Sequence, residues 1–160
     1  DFQTTWSNTI TYKNFDLSFL WHWKKGGDNV NLTMLLSDIG GSSYDYDDTD
    51  VDPAGQTPNG DYRLSQLGVS SPYVEDASYI RLREVGLSYR LPKKILSQIL
   101  NGKIEGAKIG FSGRNLVNIF DYRSYDPEVS NFGSNPISTG IEVAPFPSSK
   151  RILFNLTVNF

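Results

Sequence analysis

The sequence has no cysteine and only one histidine, and both scarcities restrict the chemistry of the chain. Without cysteine there are no disulfides and no thiolate metal sites. A catalytic or metal-binding histidine is recognised in a sequence by a nucleophile or by further ligands at a characteristic spacing. The sequence shows no such pattern around His22, since no nucleophile signature such as Gly-x-Ser-x-Gly occurs. We therefore interpret His22 as structural, and we predict no enzyme activity, no catalytic residue, no metal site and no cofactor.

The sequence also lacks a long apolar run and a strong excess of either charge. No stretch of about 18 apolar residues exists, which argues against a transmembrane helix. The formal net charge is −3, so the chain does not resemble a nucleic-acid binder. No signal peptide precedes the first strand-like pattern, and we expect the chain to be a piece of a longer protein.

Aromatic and small polar residues are abundant instead. The chain has nine Phe, nine Tyr and three Trp, and Asn, Ser, Thr and Gly are common. Aromatic residues are enriched in strands, so this composition favours a β-rich protein. A length of 160 residues is enough for one domain with a real core.

The last ten residues show the clearest pattern, in which every even position is apolar and every odd position except Leu153 is polar. Alternation with a period of two predicts a strand with one apolar face and one polar face. Such a long apolar strand would aggregate unless it were paired or closed into a barrel, and a barrel in lipid turns its apolar face outward. A strand of a soluble sandwich would alternate in the same way. The apolar positions are Ile152, Phe154, Leu156, Val158 and Phe160.

Four more segments read as strands. Residues 4–12 and 15–24 alternate, and the second carries Trp21 and Trp23 at one end, as in the aromatic girdle of an outer-membrane strand. Residues 78–90 change phase, which predicts a β-bulge near Arg83-Glu84. Residues 103–120 form the fourth of these segments, and the terminal strand makes five.

Short and long connections alternate between these strands. Lys13-Asn14 is predicted to be a tight turn because Asn tolerates positive φ. Residues 93–100 are predicted to form about two helical turns after Pro92, ended by Gly102. Two long loops, residues 25–76 and 121–149, contain many Gly and Pro turn signals, and residues 31–37 could form a helical turn or a short strand. Antiparallel barrel strands in a membrane need this alternation, with the long loops outside the cell.

The first long loop contains an acidic run, residues 44–52. An EF-hand starting at Asp45 needs Gly at its sixth position and Glu at its twelfth, but these are Asp50 and Gln56. We therefore predict a solvated acidic loop without a tight calcium site. Loop tyrosines can stack on sugars or simply pack the loop, and the candidate substrate-binding residues are Tyr44, Tyr46, Tyr122 and Tyr125.

Three motifs in a fixed order carry a resemblance to a known family. Residues 78–92 read Ser-Tyr-Ile-Arg-Leu-Arg-Glu-Val-Gly-Leu-Ser-Tyr-Arg-Leu-Pro, residues 113–116 read Gly-Arg-Asn-Leu, and residues 125–129 read Tyr-Asp-Pro-Glu-Val. Together with the strand ending in Phe160, they resemble SusC/RagA-type TonB-linked outer-membrane proteins. The resemblance is densest between Ser78 and Val129. The plug domain and the TonB-contacting segment of that family are not in this chain.

The resemblance implies an all-β fold in which residues 1–160 form the C-terminal portion of an antiparallel transmembrane β-barrel. In such proteins the barrel is of the plugged, 22-stranded type, of which this chain would supply about five strands. The resemblance further implies import of large nutrients, glycans or peptides, across the bacterial outer membrane. The implied partners are a SusD-like surface lipoprotein, the TonB complex through the missing N-terminal part, the remaining strands and plug, and outer-membrane lipid.

Two other interpretations remain open from the residues themselves. The chain could be a soluble β-sandwich that binds glycan through its loop tyrosines, or a structural or adhesive surface protein. A sandwich should be monomeric in buffer, whereas part of a barrel should need detergent or its missing strands.

Overall fold

A computed structural model of the chain describes residues 1–69, 71–98, 103–128, 140–146 and 148–160. These residues form two compact units. The sheet unit comprises residues 2–24, 79–119 and 149–160, and the loop unit comprises residues 1, 25–78 and 120–148. In the part of the chain that is described, no helix is long and apolar enough to cross a membrane.

Strands outnumber helices in the described residues, which confirms the predicted all-β class. The elements in chain order are β1 (Phe2–Tyr12), β2 (Phe15–Lys25), β3 (Asp28–Asn31), α1 (Leu32–Ile39), α2 (Asn59–Ser65), β4 (Val74–Asp76), β5 (Tyr79–Arg90), α3 (Lys93–Leu96), β6 (Gly106–Ile119), β7 (Ile141–Glu142) and β8 (Arg151–Asn159).

The sheet unit is built from the long strands, in the order β1-β2-β5-β6-β8. β2 and β5, β5 and β6, and β6 and β8 pair antiparallel. These five strands correspond to the five predicted segments. The sequence did not predict the three short strands β3, β4 and β7, which form a separate sheet in the loop unit.

The predicted β-bulge is present in β5. In the pairing of β2 with β5, Leu20 lies opposite Glu84 and Trp21 lies opposite Leu82, which leaves Arg83 as the extra residue. The pairing of β5 with β6 shifts at the same place. An extra residue changes which face the following side chains occupy, so the bulge keeps Ile80 and Leu87 on one face despite their different phases.

One face of this sheet is apolar and exposed. A row of directly opposed residues crosses four strands through Leu17, Leu87, Phe111 and Phe154, and the rings of Phe111 and Phe154 lie 5.6 Å apart. In β8, Phe154 is 80% exposed and Leu156 is 71% exposed. A contiguous exposed apolar surface marks a face that meets lipid or another protein.

The opposite face is polar and joined by ion pairs. A second row crosses the same strands through Asp16, Ser88, Gly110 and Asn155. Arg90 Nη2 lies 2.7 Å from Asp16 Oδ1, and a similar cross-strand pair joins Arg114 and Glu84 at 3.0 Å. Ion pairs between neighbouring strands are typical of a face in contact with water.

The two short connections differ in detail from the prediction. The turn between β1 and β2 falls at Lys13-Asn14, but Lys13 rather than Asn14 has the positive φ, at 55°. The Asn14 side chain instead donates a hydrogen bond of 2.7 Å to the carbonyl of Arg90. α3 ends at Leu96, before the predicted second turn, and residues 99–102, including the predicted stop at Gly102, lie outside the described residues.

The loop unit contains ordered elements where the sequence predicted a long loop. A three-stranded sheet runs in the order β4-β3-β7, with β3 antiparallel to β4 and parallel to β7. α1 follows β3 directly, so residues 31–37 form mainly a helix. Asn31 caps it, since its side-chain oxygen accepts a hydrogen bond of 2.8 Å from the Met34 backbone N–H.

The interior of the loop unit is unusually polar. Side chains that are fully buried include those of Asn31, Asp38, Asn59 and Arg63. Buried polar groups must be hydrogen-bonded or they cost free energy, so this interior depends on specific partners. Residues 129–139 and 147, which belong to the second predicted loop, lie outside the described residues.

Candidate functional site

A cavity of about 260 Å³ opens in the loop unit and brings together two of the predicted tyrosines. Tyr44 comes from the first predicted loop and Tyr125 from the second, yet both line this cavity. Both are exposed, Tyr44 at 76% and Tyr125 at 55%. The other lining residues are Asn31, Thr33, Met34, Ser37, Ser42, Ser43, Arg123 and Ser124.

On the Tyr44 side of the cavity, the residues before and after Tyr44 in sequence belong to a buried cluster of ion pairs. Arg63 Nε lies 2.7 Å from Asp38 Oδ2, and Arg63 Nη1 lies 2.9 Å from Asp45 Oδ2. Ser43 donates a hydrogen bond of 2.5 Å to Asp38, and the Tyr73 hydroxyl donates one of 2.9 Å to the same carboxylate. Ser43 and Asp45 flank Tyr44, so the cluster fixes its backbone on both sides.

The hydrogen bonds within this cluster set the pKa values of its members. Burial alone would raise the pKa of Asp38, but hydrogen bonds from Arg63, Ser43 and Tyr73 hold that pKa below its ordinary value. The hydrogen bond to Asp38 also raises the pKa of Arg63. Burial and then the bond to Asp38 raise the pKa of Tyr73. These groups therefore keep fixed charges, and the cluster is a support rather than a proton-transfer site.

The Tyr125 side is held by a second network. The Arg123 backbone N–H donates to Glu75 Oε2 at 2.9 Å and its Nε donates to Glu75 Oε1 at 3.1 Å. Asn31 Nδ2 donates to the same Oε1 at 2.9 Å, which connects this network to the start of α1. Two residues beyond Tyr125, the carbonyl of Pro127 accepts a hydrogen bond of 2.7 Å from Asn29. The family-like motif at residues 125–128 is thus anchored to β3.

Among the described residues that line the cavity one side chain is charged, and its charge is already compensated. That side chain is Arg123, whose Nη2 lies 3.1 Å from Glu75 Oε1 and also donates to the carbonyl of Pro72 at 2.7 Å. The rest of the wall is hydroxyl, amide, thioether and aromatic. Such a wall can offer hydrogen bonds and an aromatic face to a ligand, but no unpaired charge.

The other two predicted tyrosines lie elsewhere in the loop unit. Tyr46 donates a hydrogen bond of 2.7 Å to Asp61, and its ring lies against Gly60, where a Cβ would be 2.1 Å from the ring. The bond to Asp61 raises the pKa of Tyr46. Tyr122 is only 6% exposed, and burial raises its pKa. A buried ring cannot stack on a substrate, so Tyr122 fits a structural role.

The acidic run is not a line of free carboxylates. Asp45 pairs with Arg63, and Asp50 accepts a hydrogen bond of 2.7 Å from Asn59. Asp52 accepts from the backbone N–H groups of residues 54, 56 and 57, and these bonds, with that of Ala54 foremost, lower its pKa to about 2. Among the described residues no three Asp, Glu or His side chains are grouped to hold a metal, and the absence of a calcium site stays a prediction.

His22 lies on β2, in contact with two residues of β5. Its Nδ1 is 2.7 Å from Arg83 Nη2 and 3.3 Å from the Tyr79 hydroxyl. Arg83 is the bulged residue, so the histidine contacts the side chain that the bulge reorients. This arrangement agrees with the structural role inferred from the sequence.

Sequence reasoning missed the residues that support the cavity. Asp38 and Arg63 are 25 positions apart and Glu75 and Arg123 are 48 apart, and neither pair belongs to a motif. The available signal was weak: an arginine and several acidic residues lie in a segment otherwise rich in turn signals.

Comparison with known proteins gives close sequence relatives over nearly the whole chain, although no family model matches it. The chain is 32% identical to TonB-dependent receptor P26 of Formosa agariphila over 163 residues, which covers 96% of the chain and 16% of that receptor. It is 26% identical to TonB-dependent receptor P3 of the same organism, covering 100% of the chain and 16% of the receptor. The chain therefore spans about 16% of the length of these relatives.

Solved structures share the fold. The RagAB peptide importer in its open-open state superimposes with a TM-score of 0.64 at 22% identity, covering 99% of the chain and 17% of the solved chain. A structure of the RagAB peptide transporter gives a TM-score of 0.62 at 21% identity, covering 94% and 16%. These likenesses concern the fold, and the sequence relatives carry the homology. The resemblance drawn from the motifs is thereby confirmed: over nearly its whole length the chain is homologous to a segment of the TonB-dependent receptors of the bacterial outer membrane.

Proposed function

We propose that the sheet unit is part of the wall of a transmembrane β-barrel and that the whole protein imports large nutrients across the outer membrane. The observation that carries the proposal is the pair of opposite faces on one sheet. One face exposes rings and aliphatic side chains, including Phe154 at 80% exposure. The other carries ion pairs such as Arg90–Asp16. Barrel walls in a membrane present an apolar face to lipid and a polar face to the lumen.

A soluble sandwich fits these observations less well. A sandwich buries its apolar face against a second sheet, at a spacing of about 10 Å. Leu156 and Ile109 are directly opposed on the apolar face, and they are 71% and 51% exposed. An apolar face this exposed favours lipid as its neighbour.

We propose that the loop unit lies outside the cell. The connections in which its elements occur follow β2 and β6, and both strands run in the same direction because each is antiparallel to β5. In barrels the long connections face outward and the short ones face the periplasm. The turn at Lys13-Asn14 and the segment containing α3 would then be periplasmic.

The partners proposed for the whole protein follow from its relatives. The solved neighbours are structures of the RagAB peptide importer, and the resemblance to SusC/RagA-type proteins implies pairing with a surface lipoprotein. We propose a SusD-like lipoprotein as the partner outside the cell, and energy supplied by the TonB complex through a part of the receptor that this chain does not include. Transport rather than catalysis is the proposed activity, and oligosaccharides or peptides are the proposed cargo.

Growth on single nutrients tests this proposal. Cells lacking the gene for the full-length receptor should fail to grow on at least one oligosaccharide or peptide source while growing normally on the constituent monomers. Cells lacking TonB should show the same defect, and the intact gene should restore growth of the receptor mutant. Normal growth of the receptor mutant on every polymer that requires TonB would contradict a role in uptake.

A further inference from the structure

We propose that the cavity between Tyr44 and Tyr125 is a subsite for one uncharged sugar unit of the imported nutrient. The inference rests on the proposed transport function and narrows its cargo from oligosaccharide or peptide to neutral oligosaccharide. Four properties of the cavity support it: its size, its wall chemistry, its lack of free charge and its rigidity.

The size of the cavity suits a single ring rather than a longer segment. Its volume is about 260 Å³, which is just below the range of roughly 300–1,000 Å³ that is usual for whole ligand sites. A polymer would therefore place one unit in the cavity, with neighbouring units outside it. This is the arrangement expected of a subsite on a receptor whose other contacts lie in the rest of the protein.

The wall combines exposed aromatic faces with many hydroxyl groups. Tyr44 and Tyr125 supply the rings. The face of an aromatic ring carries a partial negative charge, and the C–H groups on one face of a sugar ring carry a slight positive charge. A sugar ring therefore packs well on an aromatic face. Hydroxyl groups both donate and accept, so they match the hydroxyl groups of a sugar. Besides the tyrosines, the residues with a hydroxyl group are Thr33, Ser37, Ser42, Ser43 and Ser124. Ser37 and Ser42 donate to backbone carbonyls and keep their oxygens as acceptors, whereas the Ser43 hydroxyl is already bonded to Asp38. Ser124 Oγ is buried and has no hydrogen-bond partner among the described residues, so it can both donate and accept.

The charge of the wall selects against ionic ligands. Arg123 is the charged residue of the cavity, and Glu75 at 3.1 Å already compensates it. A uronate carboxylate would have to compete with Glu75 for this guanidinium. The charged ends of a short peptide would find no free counter-charge on the described part of the wall. Burying an unpaired charge is costly, whereas a neutral polyol exchanges hydrogen bonds with water for hydrogen bonds with the wall.

The support behind the wall holds the backbone next to the two tyrosines in position without the ligand. Ser43 is bonded to Asp38, and Arg63 links Asp38 to Asp45, which fixes the chain on both sides of Tyr44. Arg123 is bonded to Glu75 two residues before Tyr125. A site that is ordered before binding loses less entropy when the ligand arrives.

Binding measurements on the purified full-length receptor test the proposal. The probes are three neutral oligosaccharides (maltohexaose, laminarihexaose and xylohexaose), one charged oligosaccharide (hexagalacturonate) and pentaalanine. We expect at least one neutral probe to bind more tightly than hexagalacturonate and pentaalanine. Tyr44→Ala and Tyr125→Ala should each weaken that binding by about tenfold, whereas Tyr44→Phe, which keeps the ring, should retain most of it.

The matched control is Phe146→Ala, because Phe146 is 93% exposed in the same unit but does not line the cavity. This variant should bind like the wild type. The inference is overturned if hexagalacturonate or pentaalanine binds most tightly, if no neutral probe binds, or if the tyrosine variants bind like the control. Those results leave the transport proposal standing as long as TonB-dependent growth on a polymer still requires the receptor.

Discussion

Arg63 shows at the scale of one residue how the loop unit is held together. Its guanidinium and the Asp38 carboxylate are buried, with side-chain exposures of 1% and 0%. Charges removed from water are tolerated only when they are paired and hydrogen-bonded, and both conditions hold here. The cluster also holds the backbone on both sides of Tyr44, although the side chain of Tyr44 is exposed.

Removing this cation should open the loop unit locally. Arg63→Met leaves the buried Asp38 charge without its partner, so we expect a local loss of stability of roughly 3–5 kcal/mol. Hydrogen exchange of the α1 and α2 amides in the full-length receptor should report it. Lys25→Met is the matched control, because Lys25 and Asp76 form an exposed pair, worth about 0–1 kcal/mol. Equal exchange in the two variants would contradict the supporting role of Arg63.

Asp52 should give the loop unit a dependence on acid pH. Its folded-state pKa is about 2 and its ordinary value is 3.8. A lowered pKa means that the carboxylate stabilises the fold fully above pH 3.8, and that this contribution is lost as the pH falls through about 2.

The amides that bond to Asp52 report this effect directly. Between pH 5 and pH 2, exchange at residues 54, 56 and 57, corrected for the intrinsic rate, should accelerate. Asp52→Asn should show fast exchange at residues 56 and 57 already at pH 5, because an amide offers one acceptor oxygen where the carboxylate offers two. Unchanged protection down to pH 2 would show that the carboxylate does not hold this turn.

The sequence indicated which loop tyrosines to consider as substrate-binding candidates, and their role stays a prediction, whereas the buried residues that support them were missed. Tyr44 and Tyr125 were identifiable because exposed aromatic residues in polar loops are conspicuous. Asp38 and Arg63 were not identifiable, because a buried ion pair between distant segments leaves no periodic pattern in the sequence. Asp and Arg are also usually exposed, so a reading of the sequence expects both residues at the surface. Tyr122 was misjudged for the opposite reason: its burial depends on tertiary contacts that no local pattern shows.

At the scale of elements, the period-two signal predicted the sheet unit well. The bulge at Arg83 was predictable because a phase change within one strand has few other causes. The loop unit was harder, because its short strands and α1 bury polar residues such as Asn31 and Asp38. A hydrophobic pattern cannot reveal an element whose buried side is polar, so those segments appeared as loop.

Strand β8 gives the sharpest element-scale prediction. Leu156 lies on the apolar face and Asn155 on the polar face, opposite Ile109 and Gly110. An Arg at the bilayer midplane on the lipid face of a barrel costs roughly 2–4 kcal/mol, whereas the lumen is wet. We therefore expect Leu156→Arg to reduce the amount of folded receptor in the outer membrane far more than Asn155→Arg, as measured by heat-modifiable gel migration.

A second substitution at the same position separates lipid from a packed protein core. Leu156→Trp should be tolerated against lipid, because no close-packed neighbour opposes the larger ring. In a close-packed core it should cost about 1–3 kcal/mol through overpacking. If Leu156→Trp proves as damaging as Leu156→Arg, the apolar face meets protein, and the soluble interpretation gains support.

At the scale of the whole molecule, the two faces of the sheet and the direction of its connections together define the proposed topology. The sequence predicted long and short connections in alternation, and this follows from polar, Gly- and Pro-rich composition alone. The fold of the long connections and the position of Tyr44 and Tyr125 at one cavity could not be predicted, because they depend on contacts between residues far apart in the chain. Glu75 and Arg123 are 48 positions apart, and Thr33 and Ala144 are 111 positions apart. Local sequence patterns do not show contacts that close such long loops.

The orientation of the loop unit is the central claim and can be measured directly. An epitope tag inserted after Gly55, an exposed glycine with φ of +62° in the loop unit, should be labelled by antibody on intact cells expressing the full-length receptor. A tag after Lys94, in the short connection that contains α3, should be labelled only after the outer membrane is permeabilised. Labelling of the Gly55 tag only in permeabilised cells, with the Lys94 tag accessible on intact ones, would contradict the topology and the outward-facing sugar site with it.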